Sequence, residues 1–226
     1  IAYSFESSVD SSPNGPSSTT RQYFKTPYAD QVRGAFDPFF RDNIDTAIIN
    51  IGHDSLASYK LVVVPADFVM DVASAKAIRE YVSGGGTVVM TAYSAKVDEH
   101  GQWFDTPLPG RLSDVFGLRT AQYYEPDVLP EFAIDGMTAK ASIKYYEVLE
   151  PRTASKLASF SNIAGNPPAV TANKFGKGQA IYLAAPAQPS LIGPVIRSLY
   201  ESLGIQTGPK TPEGVYARVV DGRTLY

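Results

Sequence analysis

Hydrophobic and polar positions along this chain recur with two periods, and the switches between them predict its elements. Ile1-Ala2-Tyr3-Ser4-Phe5 reads as a strand. Residues 7–18 hold six serines, two prolines and one glycine. Such a stretch buries too little apolar surface to offset its ordering entropy, so a mobile exposed loop is expected over residues 7–22. Thr26 before Pro27 predicts the start of a helix with an apolar face of Tyr28, Val32, Ala35 and Phe36, ended or kinked by Pro38 near Asp37. Thr46–Ile51 predicts a short strand, and Leu61-Val62-Val63-Val64 a strand buried on both faces. Asp71 then caps a helix whose buried face would be Ala73, Ala77, Ile78, Tyr81 and Val82, stopped by Gly84-Gly85-Gly86. Thr87–Thr91 is the next strand. Strand, helix and strand at this spacing predict βαβ units and a doubly wound parallel sheet.

From Ala92 to about Ser142 the pattern loses regularity, with only Leu112–Phe116 helical. Strands are predicted at 143–148, 156–160, 169–175 and 179–184, the last two joined as a hairpin through Gly176-Lys177-Gly178. A final helix has Pro194 in its first turn, Val195, Ile196, Leu199 and Leu203 on one face, and Gly204 at its end. Pro209 and Pro212 mark a linker. Val215–Val219 alternates like an edge strand, and Asp221-Gly222 signals a turn into Thr224-Leu225-Tyr226. The expected layout is one domain over 1–208, with 209–226 as linker and the start of a following β-domain. Opening within a strand and stopping within a hairpin, the chain reads as a piece of something longer.

Composition narrows the chemistry. The 226 residues carry a net charge of −3, which predicts no broad nucleic-acid footprint, and no apolar run reaches the ~20 residues of a membrane span. No leader-like N-terminus is visible. The absence of cysteine removes disulfides, thiolate metal sites and cysteine nucleophiles, and accords with a cytosolic setting. Two histidines, His53 and His100, exclude a His-rich metal cluster.

The turn after Thr87–Thr91 lies where open α/β sheets hold ligands. Ser94 there could be a nucleophile, but Ala92 and Lys96 at two residues' distance break the small-residue frame of a nucleophile elbow, and no late histidine follows. Asp98, Glu99 and His100 lack the spacing of a hard-cation loop and read as a solvated loop. Trp103 is equally a partner or sugar contact and a lid over a local cluster. Gly84-Gly85-Gly86 follows a helix, the reverse of a phosphate cradle. Glu125, Glu131, Glu147 and Glu150 supply carboxylates, and Tyr123-Tyr124 and Tyr145-Tyr146 supply aromatics, that the pattern leaves unassigned. The ligand or interface candidates are therefore Tyr93, Asp98, Glu99 and Trp103, with no catalytic, metal or cofactor-binding residue expected.

An ordered set of segments is familiar: Tyr59–Pro65, Tyr81–Thr91, Asp98-Glu99, Pro109–Gly117 and Asn173–Tyr182. Over roughly residues 45–205 their order and spacing resemble the middle domain of family 42 glycoside hydrolases, the bacterial-type β-galactosidases. Gly214–Arg218 and Gly222-Arg223 resemble the opening of the β-sandwich that follows it. The resemblance implies a flavodoxin-like domain related to class I glutamine amidotransferases, with a β-rich insertion, used for subunit association and commonly in a trimer. It also implies that the catalytic glutamates of a retaining β-galactosidase sit on a (β/α)8 barrel outside this chain. Partners would then be further copies, the barrel of the same parent and its galactoside substrate. Two other functions stay open: a free-standing sugar-binding module near Tyr93 and Trp103, and a hydrolase using Ser94 or the Asp98 loop.

Overall fold

The β-branched runs predicted to be buried strands lie side by side at the centre of the molecule. The computed structural model describes residues 1–10, 25–220 and 223–225. Its helices are α1 (Phe5–Asp10), α2 (Tyr28–Arg41), α3 (Val72–Gly84), α4 (Ser113–Phe116, after a 3-10 turn) and α5 (Pro189–Arg197). Strands β1 (Leu61–Val64) and β2 (Thr87–Thr91) precede β3 (Leu118–Tyr124), β4 (Glu131–Ile134), β5 (Met137–Lys140) and β6 (Tyr146–Pro151). Then come β7 (Ser155–Ser159), β8 (Pro168–Phe175), β9 (Gly178–Leu183), β10 (Arg218–Val220) and β11 (Arg223–Leu225).

The main sheet runs β1-β2-β9-β8-β7. Its β1, β2 and β9 are parallel, while β8 and β7 are antiparallel additions, so the sheet is mixed and not uniformly parallel. Every residue of β2 is buried, which requires both faces of the sheet to be covered there. Beyond β1, the Ala2 amide donates to the Val63 carbonyl at 2.8 Å, and Ala2 forms a parallel bridge with Ile49. The order of neighbours at this edge is thus Ile49, Ala2, β1, β2, β9.

Neither predicted outer strand is more than this bridge. Ser4 turns the chain into α1, because its hydroxyl accepts from the Ser7 amide three residues on (3.0 Å), the bond of an N-cap. The expected exposed loop therefore begins as a helix with Ser7 buried, and its remainder from residue 11 to 22 lies outside the described residues. Pro38 does not end α2. The last turn is held by the Asp42 amide on the Pro38 carbonyl (3.0 Å) and by the Arg41–Asp37 ion pair (2.6 Å).

Asp71 caps α3 as expected, accepting from the Ser74 amide at 2.6 Å, and Gly85 ends it with φ 121°. Its buried residues are Ser74, Ala75, Ile78 and Val82, while Ala73 is exposed. Helix α5 starts at Pro189, which places Pro194 in its interior and not its first turn. The β8–β9 hairpin forms as predicted. The irregular middle contains three unpredicted strands: β3 pairs with β6, and β4 with β5 across the Asp135-Gly136 turn. Both turn residues have positive φ, 52° and 74°, the geometry that an Asp-Gly pair favours in a hairpin. Strand β6 begins three residues later than expected. At the tail β10 pairs with β11, and the Asp221-Gly222 turn lies outside the described residues.

Helix α2 packs against α5, and its Gly34 meets the chain just ahead of α5, where an added Cβ would fall 1.9 Å from the Ala187 carbonyl oxygen. Helix propensity alone favours Gly34→Ala by about 1 kcal/mol. The backbone clash dominates, so Gly34→Ala is expected to destabilise the protein by about 1–3 kcal/mol, as thermal unfolding would measure.

Candidate functional site

At the carboxyl end of β2 the backbone is strained in one place. Ala66, Tyr93 and Ala95 have φ of 48°, 72° and 54°, left-handed values that non-glycine residues rarely adopt. Buried hydrogen bonds hold each of them. The Ala66 amide donates to Thr91 Oγ1 (3.0 Å), the Tyr93 amide to Glu147 Oε1 (2.8 Å) and the Ala95 amide to the Asp67 carbonyl (2.7 Å). Nucleophile elbows present their reactive residue from a strained strand-to-turn position of this kind. The strained residue is Tyr93, one before Ser94, and Thr91 and Ala95 give it the small-residue frame that Ser94 lacks.

Glu147, on β6, organises this turn. It and Lys96 are both fully buried, with Lys96 Nζ 3.0 Å from each carboxylate oxygen. Tyr182 of β9 donates its hydroxyl to Oε2 at 2.7 Å, and Tyr145 lies 3.4 Å from Oε1. The Glu147 amide donates to the Ala184 carbonyl (2.8 Å). Burial pulls the Lys96 ammonium below its ordinary pKa, and the adjoining carboxylate opposes that shift. One side chain thus ties the β2 turn, β6 and β9 together. With no solvent exposure at either charge, the pair can hold the turn but cannot meet a substrate.

A second buried group, Asp67, follows β1. Ser7 of α1 donates its hydroxyl to Asp67 Oδ1 (2.7 Å) and accepts from the Val69 amide (3.0 Å). The Asp67 amide donates to Ser94 Oγ at 3.1 Å. Burial pushes the Asp67 carboxyl up to about 6, against the lowering effect of the serine hydroxyls. It borders a polar crevice of about 220 Å3, smaller than the ~300 Å3 at which ligand pockets begin.

The structure separates the four residues named from sequence. Tyr93 is fully buried, its ring packed at a tilt against Tyr145 with centroids 4.4 Å apart, so it offers no surface to a sugar. Asp98 closes its own loop, accepting from the His100 and Gln102 amides at 2.9 Å each, and the Gln102 amide foremost lowers its pKa. Glu99 pairs with Arg111 (2.8 Å), which also donates to the Met70 carbonyl (2.7 Å). Trp103 is 44% exposed and sits edge-on to Phe68 at 5.7 Å. Ser94 is buried, occupied by the Asp67 amide, and 3.4 Å from the Val64 carbonyl. Among the described residues no group of three His, Cys, Asp or Glu could hold a metal ion. No helix among them is long and apolar enough to cross a membrane.

Sequence patterning missed the Glu147–Lys96 pair, whose members stand 51 residues apart. The available signal was a lysine, Lys96, inside the small and apolar run Ala92–Val97. Breaking a buried ion pair from one side strands a charge, so Lys96→Met or Glu147→Leu alone should each cost about 3–5 kcal/mol. The double variant should cost less than their sum, and urea denaturation of all three checks this. The Asp67 pKa is raised in the folded state, so its contribution to stability is full below pH ~4 and is lost as pH rises through ~6. Relative to Asp67→Asn, the wild type is expected to gain up to ~3 kcal/mol on going from pH 7 to pH 4, measured by denaturation at each pH.

Residues 1–206 match the family described as the beta-galactosidase trimerisation domain. Beta-galactosidase BgaP of Planococcus sp. (strain L4) is 26% identical over 207 residues, covering 87% of this chain and 30% of that protein. Beta-galactosidase Pbg of Clostridium perfringens is 28% identical over 216 residues, covering 91% of this chain and 30% of that protein. The crystal structure of beta-galactosidase from Bacillus circulans sp. alkalophilus matches with a TM-score of 0.82 at 26% identity, over 96% of this chain and 32% of that one. The chain thus spans about a third of the length of these relatives. With its strained turn closed by a buried ion pair and the match running through nearly all of its length, the chain belongs to the family of β-galactosidase trimerisation domains.

Proposed function

We propose that this chain is a non-catalytic association domain of a β-galactosidase-like glycoside hydrolase. It holds subunits together, most simply as a trimer, and supports a catalytic barrel that carries the hydrolysis of terminal β-galactosides. One observation carries this function beside the family match. The turn where an α/β fold of this type would place its reactive group is filled by Tyr93 and locked by the Glu147–Lys96 pair. The neighbour order Ile49, Ala2, β1, β2, β9 supports a flavodoxin-like relationship, in which the strand order is 2-1-3-4-5. A kinship with class I glutamine amidotransferases would then be one of fold without chemistry, since the chain has no cysteine. Residues 1–208 form this domain, and residues 209–226 lead into the next.

Asp98, half-buried, and Glu99, exposed, are the adjacent carboxylates of the loop that a hydrolase reading of this chain would use. In the native-length protein, Asp98→Asn with Glu99→Gln should leave kcat for a nitrophenyl β-galactoside within about 2-fold, because loop carboxylates held by amides and Arg111 perform no chemistry. A loss of 100-fold or more in a protein with unchanged melting would place catalysis on this chain instead.

A further inference from the structure

Asn43 stands just beyond the end of α2 in left-handed backbone, with φ 55°. Helices commonly end on such a residue, and asparagine accepts that geometry better than most. Its side chain, however, makes no bond to the helix. Nδ2 donates to the Pro209 carbonyl at 2.8 Å and to Thr211 Oγ1 at 3.3 Å. Oδ1 accepts from the Ala217 amide at 2.8 Å and from Arg218 Nη1 at 3.4 Å. A primary amide has two donor hydrogens and two acceptor sites. All of them face one segment, 166 to 175 residues further along the chain.

Both sides of this joint are held internally. On the helix side, the Asn43 amide donates to the Phe40 carbonyl (3.2 Å) and the Ile44 amide to the Phe39 carbonyl (2.9 Å). The neighbouring Asp42 accepts from Arg197 (2.8 and 3.1 Å) and from the Tyr200 hydroxyl (2.9 Å). On the other side, the Thr211 hydroxyl donates to the Val215 carbonyl (2.5 Å) and the Val215 amide to the Pro212 carbonyl (3.0 Å). Gly208 passes so close that an added Cβ would fall 2.4 Å from the Asn43 carbonyl oxygen. Tyr216 and the Arg218 guanidinium then cover the Phe40 ring at 4.5 and 4.3 Å, and Ala217 between them is buried. A flexible linker leaves its polar backbone to water. This segment, despite Pro209 and Pro212, is folded on itself and fastened to α2.

Resting on the reading that residues 209–226 lead into a further domain, we propose that the end of α2 is the docking surface for that domain, with Asn43 as its clasp. Arg218 opens β10, so bonds that end on Ala217 and Arg218 fix the first strand of the following β-domain. The two domains then turn as one body, and the orientation of the second is set by the helix that packs against α5 in the first.

Limited trypsin digestion of the native-length protein tests this at Lys210, an exposed residue inside the clasped segment. Asn43→Gly is the informative variant, because glycine adopts a positive φ freely and only the side-chain amide is lost. Cleavage after Lys210 is expected to rise about 10-fold or more in Asn43→Gly, and likewise in Gly208→Ala, which pushes on the joint from its other side. Hydrogen exchange across α2 and the main sheet should stay as in the wild type. Equal cleavage in the wild type and both variants overturns the clasp. A wild-type measurement decides even where a variant melts early: the Ala217 amide should exchange at least about 10-fold more slowly than in a free peptide, and exchange at the free-peptide rate overturns the proposal. The piece released after Lys210 tests the underlying reading separately. A product that resists further trypsin is a folded domain, whereas one digested to small peptides removes the following domain and leaves the clasp standing.

Discussion

The carboxylate of Glu147 is the group on which the carboxyl end of this sheet depends. Three backbone segments, the turn after β2, strand β6 and the exit from β9, converge on a single residue with no access to water. A lone carboxylate there would be prohibitive, and Lys96 with the Tyr182 hydroxyl makes it tolerable. In return the carboxylate holds the Tyr93 amide, and with it a left-handed backbone that a tyrosine would not otherwise keep. The Tyr145 and Tyr123 rings pack outward from that point, so the order of the β3–β6 ribbon is inherited from a buried charge.

This arrangement explains how a fold suited to chemistry serves association. Strain at a strand end is commonly spent on presenting a reactive group to a pocket. Here the strained position carries a phenol ring turned inward, the nearby serine is consumed by the Asp67 amide, and the charges are sealed. What remains half-exposed near this turn includes the rings of Trp103, Tyr123 and Tyr124, and aromatic residues are enriched at protein interfaces.

Legibility in the sequence followed the range of the interactions. Strands β1 and β2, the Asp71 cap, the Gly85 stop and the β8–β9 hairpin are all specified within a few residues, and each stands where the pattern predicts it. Ile1–Phe5 and Thr46–Ile51 carry strand-like composition, yet Ser4 and the turn after Asn50 limit both to one bridge. Strand β3 went unread because its half-exposed tyrosines blur the alternation and its pairing is with a partner more than twenty residues away. The β4–β5 hairpin has a local signal in Asp135-Gly136, but in a stretch rich in other glycines and prolines that pair alone does not single out a turn. The Glu147–Lys96 and Asp67–Ser7 bonds span 51 and 60 residues, and no local pattern announces such a pair. The resemblance to family 42 middle domains drew on ordered segments along the whole chain, which is why it reached further than any single motif.

Hydrogen exchange at the Tyr93 amide tests the central claim most directly. If Glu147 locks this turn, that amide should exchange only through global unfolding, with a protection free energy equal to that of denaturation. Exchange through a local opening of markedly lower free energy at neutral pH would show that the turn is not locked, and the closed carboxyl edge would have to be abandoned.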